Sequence, residues 1–191
     1  MSRILVLSDV HYPNTDLRLL DAALQGRYDE IVLLGDSVDI KGKLGELLSM
    51  LRPRADKVYL IRGDNEESMG IDGLERLELG NLVLFHGHQG NLVSEGFTKR
   101  LARLGRRINR RLVIELYAFR VRVPSKVAVV GHAHILDYSR LFKVVLSGSM
   151  AVPSEERPFN EEGYVVIDGN LIYLINGHGE TVKVMSSGNS A

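Results

Sequence analysis

The 191-residue chain contains no cysteine and no tryptophan. Without cysteine there is no disulfide framework and no thiolate metal site, which excludes a small secreted scaffold held by cross-links and makes the cytoplasm the expected compartment. Long apolar runs are also lacking. The N-terminal run, Ile4 to Leu7, is far too short for a signal-peptide core or a membrane span, and nothing later approaches span length. Nor does net charge point to a class, since Lys plus Arg and Asp plus Glu both number 24. What remains is an ordinary globular composition, 45% apolar and 25% charged, long enough to bury a core of its own in one domain.

Apolar runs of strand length recur at Ile4 to Leu7, Ile31 to Leu34, Val58 to Ile61, Leu82 to Phe85, Val127 to Val130 and Val144 to Leu146. Most are Val, Ile and Leu without polar alternation, the pattern of strands buried on both faces under helices. Between them, Asp16 to Gln25 reads as a helix with Leu17, Leu20 and Leu24 on one face, Thr15 as its N-cap and Gly26 past its end. Lys43 to Leu51 reads as a shorter helix. Toward the C-terminus, Tyr164 to Ile167, Leu171 to Ile175 and Thr181 to Val184 are separated by Asp168-Gly169-Asn170 and Asn176-Gly177, which are hairpin signals. There is no internal repeat. The expectation is an α/β fold, a four-layer α-β-β-α sandwich of two mixed sheets flanked by helices, as a single domain over 1–185. Residues 186–191 form a Ser/Gly/Asn tail expected to fray.

Five of the apolar runs lead into polar clusters: Ser8-Asp9-Val10-His11, Gly35-Asp36-Ser37-Val38-Asp39, Gly63-Asp64-Asn65-Glu66, His86-Gly87-His88 and Gly131-His132-Ala133-His134. Any one of these is an unremarkable turn, because Gly and Asp favour turns. Their repetition is not. In open α/β sheets, ligands gather where the carboxyl ends of strands meet, so five such clusters can share one crevice. Only His178 of the six histidines lies outside them. A mixed set of imidazoles and carboxylates suits manganese, iron, zinc or nickel, so a shared metal site is the expectation.

In this order, Asp9-x-His11, Gly35-Asp36-x-x-Asp39, Gly63-Asp64-Asn65-Glu66, His86-Gly87 and Gly131-His132-x-His134 resemble the calcineurin-like metallophosphoesterases, in their small one-domain phosphodiesterase branch. Ser147-Gly148-Ser149 looks like the glycine-serine turn of that family, so the resemblance covers nearly the whole chain. It implies two divalent metal ions, manganese first, with nickel, iron or zinc as alternatives. Asp9, His11 and His134 would hold one metal, Asp64, His86 and His132 the other, and Asp36 would bridge them. Asp39 would orient an imidazole or a bound water, and His88 would touch substrate or serve as a structural hydrogen-bonding group. The implied substrate is a small phosphodiester or nucleotide-type phosphate ester. Two cations of this kind lower the pKa of water and neutralise charge on the phosphoryl group, and no side-chain nucleophile is needed.

The third cluster departs from the family pattern, which reads Gly-Asn-His followed by Asp or Glu. Asp64 stands where the family has a neutral amide, and this adds a negative charge. Asn65 stands where a histidine often protonates the leaving group, and an amide cannot act as a general acid at neutral pH. Substrates with acidic leaving groups are therefore expected. The Arg62-Gly63-Asp64 run and the later His86-Gly87-His88-Gln89 also look like the phosphoesterase-like subunit of the retromer coat, a scaffold for protein partners. That group lacks the second-motif carboxylates, whereas Asp36 and Asp39 are present here; a catalytically weak scaffold is the alternative reading.

Charge is strongly segregated. Between Phe97 and Lys126 ten basic residues (Lys99, Arg100, Arg103, Arg106, Arg107, Arg110, Arg111, Arg120, Arg122 and Lys126) face a single acidic one, Glu115, so this segment carries +9 and the remainder −9. Phe97, Leu101, Leu104, Ile108, Leu112, Leu116 and Phe119 fall three or four apart, which reads as an amphipathic helical insertion over about 97–120, docked on the body by these residues. Its basic surface is either a solvated face, neutralised by the acidic remainder or by a second subunit in a homodimer, or a collector of nucleic acid or another polyanion at 97–126. A membrane-surface helix fits less well without tryptophan.

The extra carboxylate generates a prediction. With Asp9, Asp36 and Asp64 all ionised, attraction for dianionic monoesters is weakened more than for monoanionic diesters. Asp64→Asn should raise the monoester-to-diester rate ratio, measured on a matched pair of chromogenic substrates; an unchanged ratio refutes the electrostatic account.

Overall fold

The computed structural model describes residues 2–88, 109–153 and 160–187. Its elements in chain order are β1 (Arg3–Leu7), α1 (Leu17–Ala23), β2 (Tyr28–Leu34), α2 (Leu44–Leu51), β3 (Ala55–Ile61), α3 (Asp64–Met69), β4 (Arg76–Leu79) and β5 (Leu82–Phe85). Then follow α4 (109–121), β6 (Val127–Val130), β7 (Leu136–Ser139), β8 (Val144–Ser147), β9 (Gly163–Asp168), β10 (Leu171–Asn176) and β11 (Thr181–Ser186). The first part of the basic segment, 97–108, with Phe97, Leu101, Leu104 and Ile108, lies outside the described residues.

Two mixed sheets result. One has the order β11-β10-β9-β1-β2-β3 and the other β4-β5-β6-β8-β7. In the first, β1, β2 and β3 run parallel while β9 to β11 add an antiparallel meander. In the second, β5, β6 and β8 are parallel, with β4 and β7 antiparallel at the edges. Successive side chains of a strand point to opposite faces, and here both faces are covered. Ile4, Val6, Val32 and Leu34 meet Leu84, Val129 and Val145 between the sheets. Leu5, Leu7, Ile31 and Leu33 pack outward under Leu19, Leu20, Leu47 and Leu51 of α1 and α2. On the far side, Ala128, Val130, Val144 and Leu146 lie under Ile114, Ala118 and Val121 of α4. That is the expected four-layer sandwich, and double coverage is why the strands read as unbroken apolar runs.

Local expectations fared unevenly. Helix α1 is capped by Asp16, whose carboxylate accepts from the backbone N–H groups of Arg18 and Leu19. Thr15, the expected cap, instead donates its hydroxyl to the Val10 carbonyl at 2.6 Å. Leu19 faces the core with Leu20, while Leu17 is exposed. β4 and β7 give no apolar run because each is a short edge strand, and α3 gives no helical periodicity at all. Helix α3 extends through Ser68 and Met69. At the other end, Ser186 closes β11 and the buried Ser187 donates its N–H to the Asn170 carbonyl at 2.8 Å.

The largest correction concerns α4. Leu112, Leu116 and Phe119, expected to face the body, are 56%, 60% and 51% exposed, while Ile114, Ala118 and Val121 are buried. Both triplets have the same i, i+4, i+7 spacing, so hydrophobic periodicity allows either face to dock. The buried set contains small Ala118, which lets the helix approach the sheet closely; the bulkier set points outward.

Loss of the cap at Asp16 has a defined cost. Asp16→Ala should lower the unfolding free energy by about 1 kcal/mol, read from urea denaturation, because two N-terminal N–H groups of α1 lose their acceptor.

Candidate metal centre

Every expected ligand sits just beyond the carboxyl end of a parallel strand. Asp9 and His11 follow β1, Asp36 follows β2, Asp64 opens α3 after β3, His86 and His88 follow β5, and His132 and His134 follow β6. The chain turns there in conformations that side chains avoid. Asp9, His11, Asp36, His132 and His134 all have φ between 48° and 62°, and only Ser125 and Lys143 share that left-handed region among the other described non-glycine residues. Strain of this kind, of order 1 to 3 kcal/mol per residue, persists where the surroundings over-determine it and clusters at functional sites.

Two glycines make the convergence possible. A Cβ on Gly35 would lie 2.3 Å from His86 Nδ1, and one on Gly131 would lie 2.0 Å from Ser8 Oγ and 2.9 Å from Asp9 Oδ2. Neighbouring side chains therefore pass these two backbones at distances that only glycine permits.

The side chains gather in two overlapping groups. Asp9, His11 and His134 form one and Asp64, His86 and His88 another, while Asp9, Asp36 and His86 link them. His134 Nε2 stands 3.2 Å from Asp9 Oδ1 and His132 Nδ1 stands 3.1 Å from Asp64 Oδ2. Asp36 Oδ2 lies between the groups, 3.9 Å from His11 Nε2 and 3.6 Å from His86 Nε2. Two atoms that each lie about 2.1 Å from one cation are themselves about 3.0 to 3.4 Å apart, so the spacing suits shared cations. Asp9 Oδ1 and His86 Nε2 are fully enclosed and accept or donate no hydrogen bond. Polar atoms buried in that state are costly unless a cation takes them, and this fits a metal at each.

Three imidazoles are held by their other nitrogen. His11 Nδ1 faces Asp39 Oδ1 at 2.6 Å, His86 Nδ1 faces the Leu34 carbonyl at 2.8 Å, and His134 Nδ1 faces Asn160 Oδ1 at 2.6 Å. With Nδ1–H donating, Nε2 keeps its lone pair for the centre. His88 differs: Nε2 meets Glu67 Oε1 at 2.9 Å and Nδ1 is the buried, unbonded atom.

Glu66 braces the middle of the site. Fully buried, its carboxylate accepts from the N–H groups of Asp36, Ser37 and Gly63 at 2.8, 2.7 and 2.9 Å, which ties the second and third clusters together. Asn65 donates its backbone N–H to Asp36 Oδ1 at 2.9 Å, and its amide donates to Val38 O and Asp39 Oδ1 at 3.0 Å each. Tyr117 of α4 reaches beneath the loops and its hydroxyl donates to the Gly131 carbonyl at 3.4 Å. Sequence reasoning assigned no role to Glu66, Asn160 or Tyr117. Glu66 stood within a quoted motif, but nothing local distinguishes an Asn that orients a histidine 26 residues earlier.

The electrostatics are those of mutually stabilised opposite charges. Burial pushes the Asp9 carboxyl up, but His134, His86 and His11 outweigh it and hold it well below the usual range. The nearby imidazoles of His132 and then His86 do the same for Asp64 against its partial burial. Asp36 is also lowered, burial being outweighed by His86. Burial lowers His86, yet Asp36, Asp64 and Asp9 raise it well above its ordinary value. In the metal-free chain, His86 therefore stabilises the fold fully below about pH 6.5 and loses that contribution as pH rises through its raised value. The depressed carboxylates contribute above about pH 4 and lose it as pH falls through their lowered values.

Two helix-covered mixed sheets, with imidazoles and carboxylates gathered at the ends of their parallel strands, define a phosphoesterase fold with a candidate metal centre. The chain belongs to the calcineurin-like phosphoesterase superfamily, whose domain model matches residues 2–170. A Vps29 single mutant from Entamoeba histolytica is similar in structure, with a TM-score of 0.58 and 19% identity over 96% of this chain and 98% of that one. A protein of Streptococcus pneumoniae described as a predicted phosphoesterase has a TM-score of 0.53 at 19% identity, covering 97% of both chains. A metallophosphoesterase from Sphaerobacter thermophilus has a TM-score of 0.53 at 19% identity, over 87% of this chain and 83% of that one. At such identities the likeness is one of fold. A search of curated proteins returned no match.

Asn160 and His86 yield a joint prediction. Asn160→Ala should weaken manganese binding by about 10- to 100-fold, measured calorimetrically, because His134 loses its orienting acceptor. In the unmutated protein, metal must displace the His86 proton, so affinity should rise across about pH 6 to 8. Affinity independent of pH would contradict the assignment of His86.

Proposed function

We propose that the protein is a phosphodiesterase dependent on two divalent cations. Asp9, His11 and His134 hold one, Asp64, His86 and His132 the other, and Asp36 is shared. The observation that supports the reading is the enclosure of Asp9 Oδ1 and His86 Nε2, without hydrogen bonds, where the three overlapping groups of donors share these two side chains. Manganese is the first expectation, with iron, nickel and zinc compatible with the same donors. When bound, the cations activate water and neutralise charge on the phosphoryl group.

The chain's own residues set the rest. Asp39 and Asn160 present the Nε2 lone pairs of His11 and His134, and Glu66 with Asn65 fixes the loop carrying Asp36. Neither Asn65 nor Tyr117 is placed to protonate a leaving group. Asn65 is tied to Asp39 and Val38, and burial together with the Asp9 charge pushes the Tyr117 hydroxyl far above its ordinary value, away from acid duty. Asp64 is half exposed, so the centre opens to solvent on its side. A small diester or nucleotide-type substrate with an acidic leaving group matches these features.

A second reading, a scaffold that binds protein and turns over slowly or not at all, rests on the altered Asp64-Asn65 pair. One experiment separates the two. Protein stripped with a chelator and reloaded with manganese should hydrolyse bis(p-nitrophenyl) phosphate faster than p-nitrophenyl phosphate, and Asp36→Asn should lower kcat by ~100-fold or more. Two bound metals with no turnover of either ester would favour the scaffold.

A further inference from the structure

The outward face of α4 is the strongest feature that the candidate centre does not use. Leu112, Leu116 and Phe119 line one side of the helix, and Leu141, 73% exposed in the β7–β8 turn, is the most open large apolar residue described. These patches are neighbours, since the Phe119 ring meets Phe142 edge to face at 5.4 Å. Such a stretch of large apolar side chains on one surface calls for a partner.

Charge around it is predominantly basic. Arg111, Arg140, Lys143 and Lys183 line a cleft of about 750 Å³ floored by Val127, Val184 and Met185. Arg122 stacks on Phe119 with its guanidinium carbon 3.7 Å from the ring centre. Asp137 is shared by Arg110, Arg111 and Lys183, Glu115 pairs with Arg111 and Glu161 with Arg110. Among the described residues, six cations thus meet three carboxylates, and the side chains of Arg140 and Lys143 have no carboxylate partner. The cleft lies where β6 and β8 begin, at the opposite end of those strands from the ligand loops.

Protruding apolar side chains ringed by arginine and lysine match a surface that is apolar inside and anionic outside. A second copy of the chain would bring the same cations face to face, which opposes association. A nucleic acid backbone would satisfy the cations but leave Leu112, Leu116 and Leu141 in water, and no open aromatic platform accompanies them. No helix among the described residues is long and apolar enough to cross a membrane, so the mode is contact from one side. We propose that this face docks the protein on a bilayer surface rich in anionic phospholipid. Leu112, Leu116, Phe119 and Leu141 enter the boundary between headgroups and acyl chains while Arg140 and Lys143 contact lipid phosphates. Absence of tryptophan is offset by Phe119 and the three leucines.

The test uses the full chain and sedimentation with vesicles of phosphatidylcholine alone or mixed with phosphatidylglycerol. Binding is expected only to the mixed vesicles, falling as salt rises. Arg140→Gln with Lys143→Gln should reduce partitioning by about 30-fold, and Leu116→Gln with Phe119→Gln by ~10-fold or more. All four positions are on the surface, and unchanged circular dichroism melting confirms that the variants fold. Failure to sediment with mixed vesicles at low salt overturns the proposal. So does vesicle binding that the apolar pair leaves intact and a single-stranded oligonucleotide displaces, which would make the face a general polyanion site. Self-association abolished by the apolar pair, without vesicle binding, would assign it to a second copy.

Discussion

Asp9 is completely buried and Asp36 nearly so, at the ends of adjacent parallel strands, beside the half-exposed Asp64. Negative charge in that position has no water to solvate it, and mutual repulsion would drive protons onto the carboxyls. Imidazoles supply part of the compensation, which is why His86 holds its proton so tightly while the carboxylates remain ionised. Divalent cations supply it more completely, and the architecture around the centre follows from keeping those donors in place until they arrive.

Holding them requires a second layer of bonds that never touches the cation. Asp39, Leu34 and Asn160 each take one imidazole N–H. Glu66 gathers three backbone N–H groups from two loops, and the left-handed turns at five candidate ligand positions are tolerated because these bonds and the close glycine contacts leave no alternative path. Rigid strands buried on both faces give the loops a fixed base. Preorganisation of this kind puts the strain where the chemistry is and the stability in the sheets.

Helix α4 couples the centre to the molecule's outer surface. Tyr117 supports the Gly131 loop from below, and Arg110 grips Glu161, whose backbone N–H bonds the His134 carbonyl at 3.0 Å. One face of the helix therefore buttresses the ligand loops while the other presents leucine, phenylalanine and arginine to solvent.

Much of this was legible beforehand because it is written in short stretches. Runs such as Ile31 to Leu34 announce doubly covered strands, and Gly-Asp or Gly-His pairs directly after them announce loops at strand ends; both signals span fewer than ten residues, within reach of backbone and side-chain period. The amino-acid sequence by itself thus determined most of the strands, the two-sheet class and the strand-end loops that carry the candidate ligands. Tertiary structure alone decided which of two equally spaced apolar faces of α4 docks, because close approach to the β6 and β8 surface favours Ala118 over Leu116. It also decided that Asp16 and not Thr15 caps α1, because Thr15 is drawn to Val10. And it brought Asn160 to His134 and Glu66 to the N–H groups of Asp36 and Ser37, contacts between positions whose spacing carries no period.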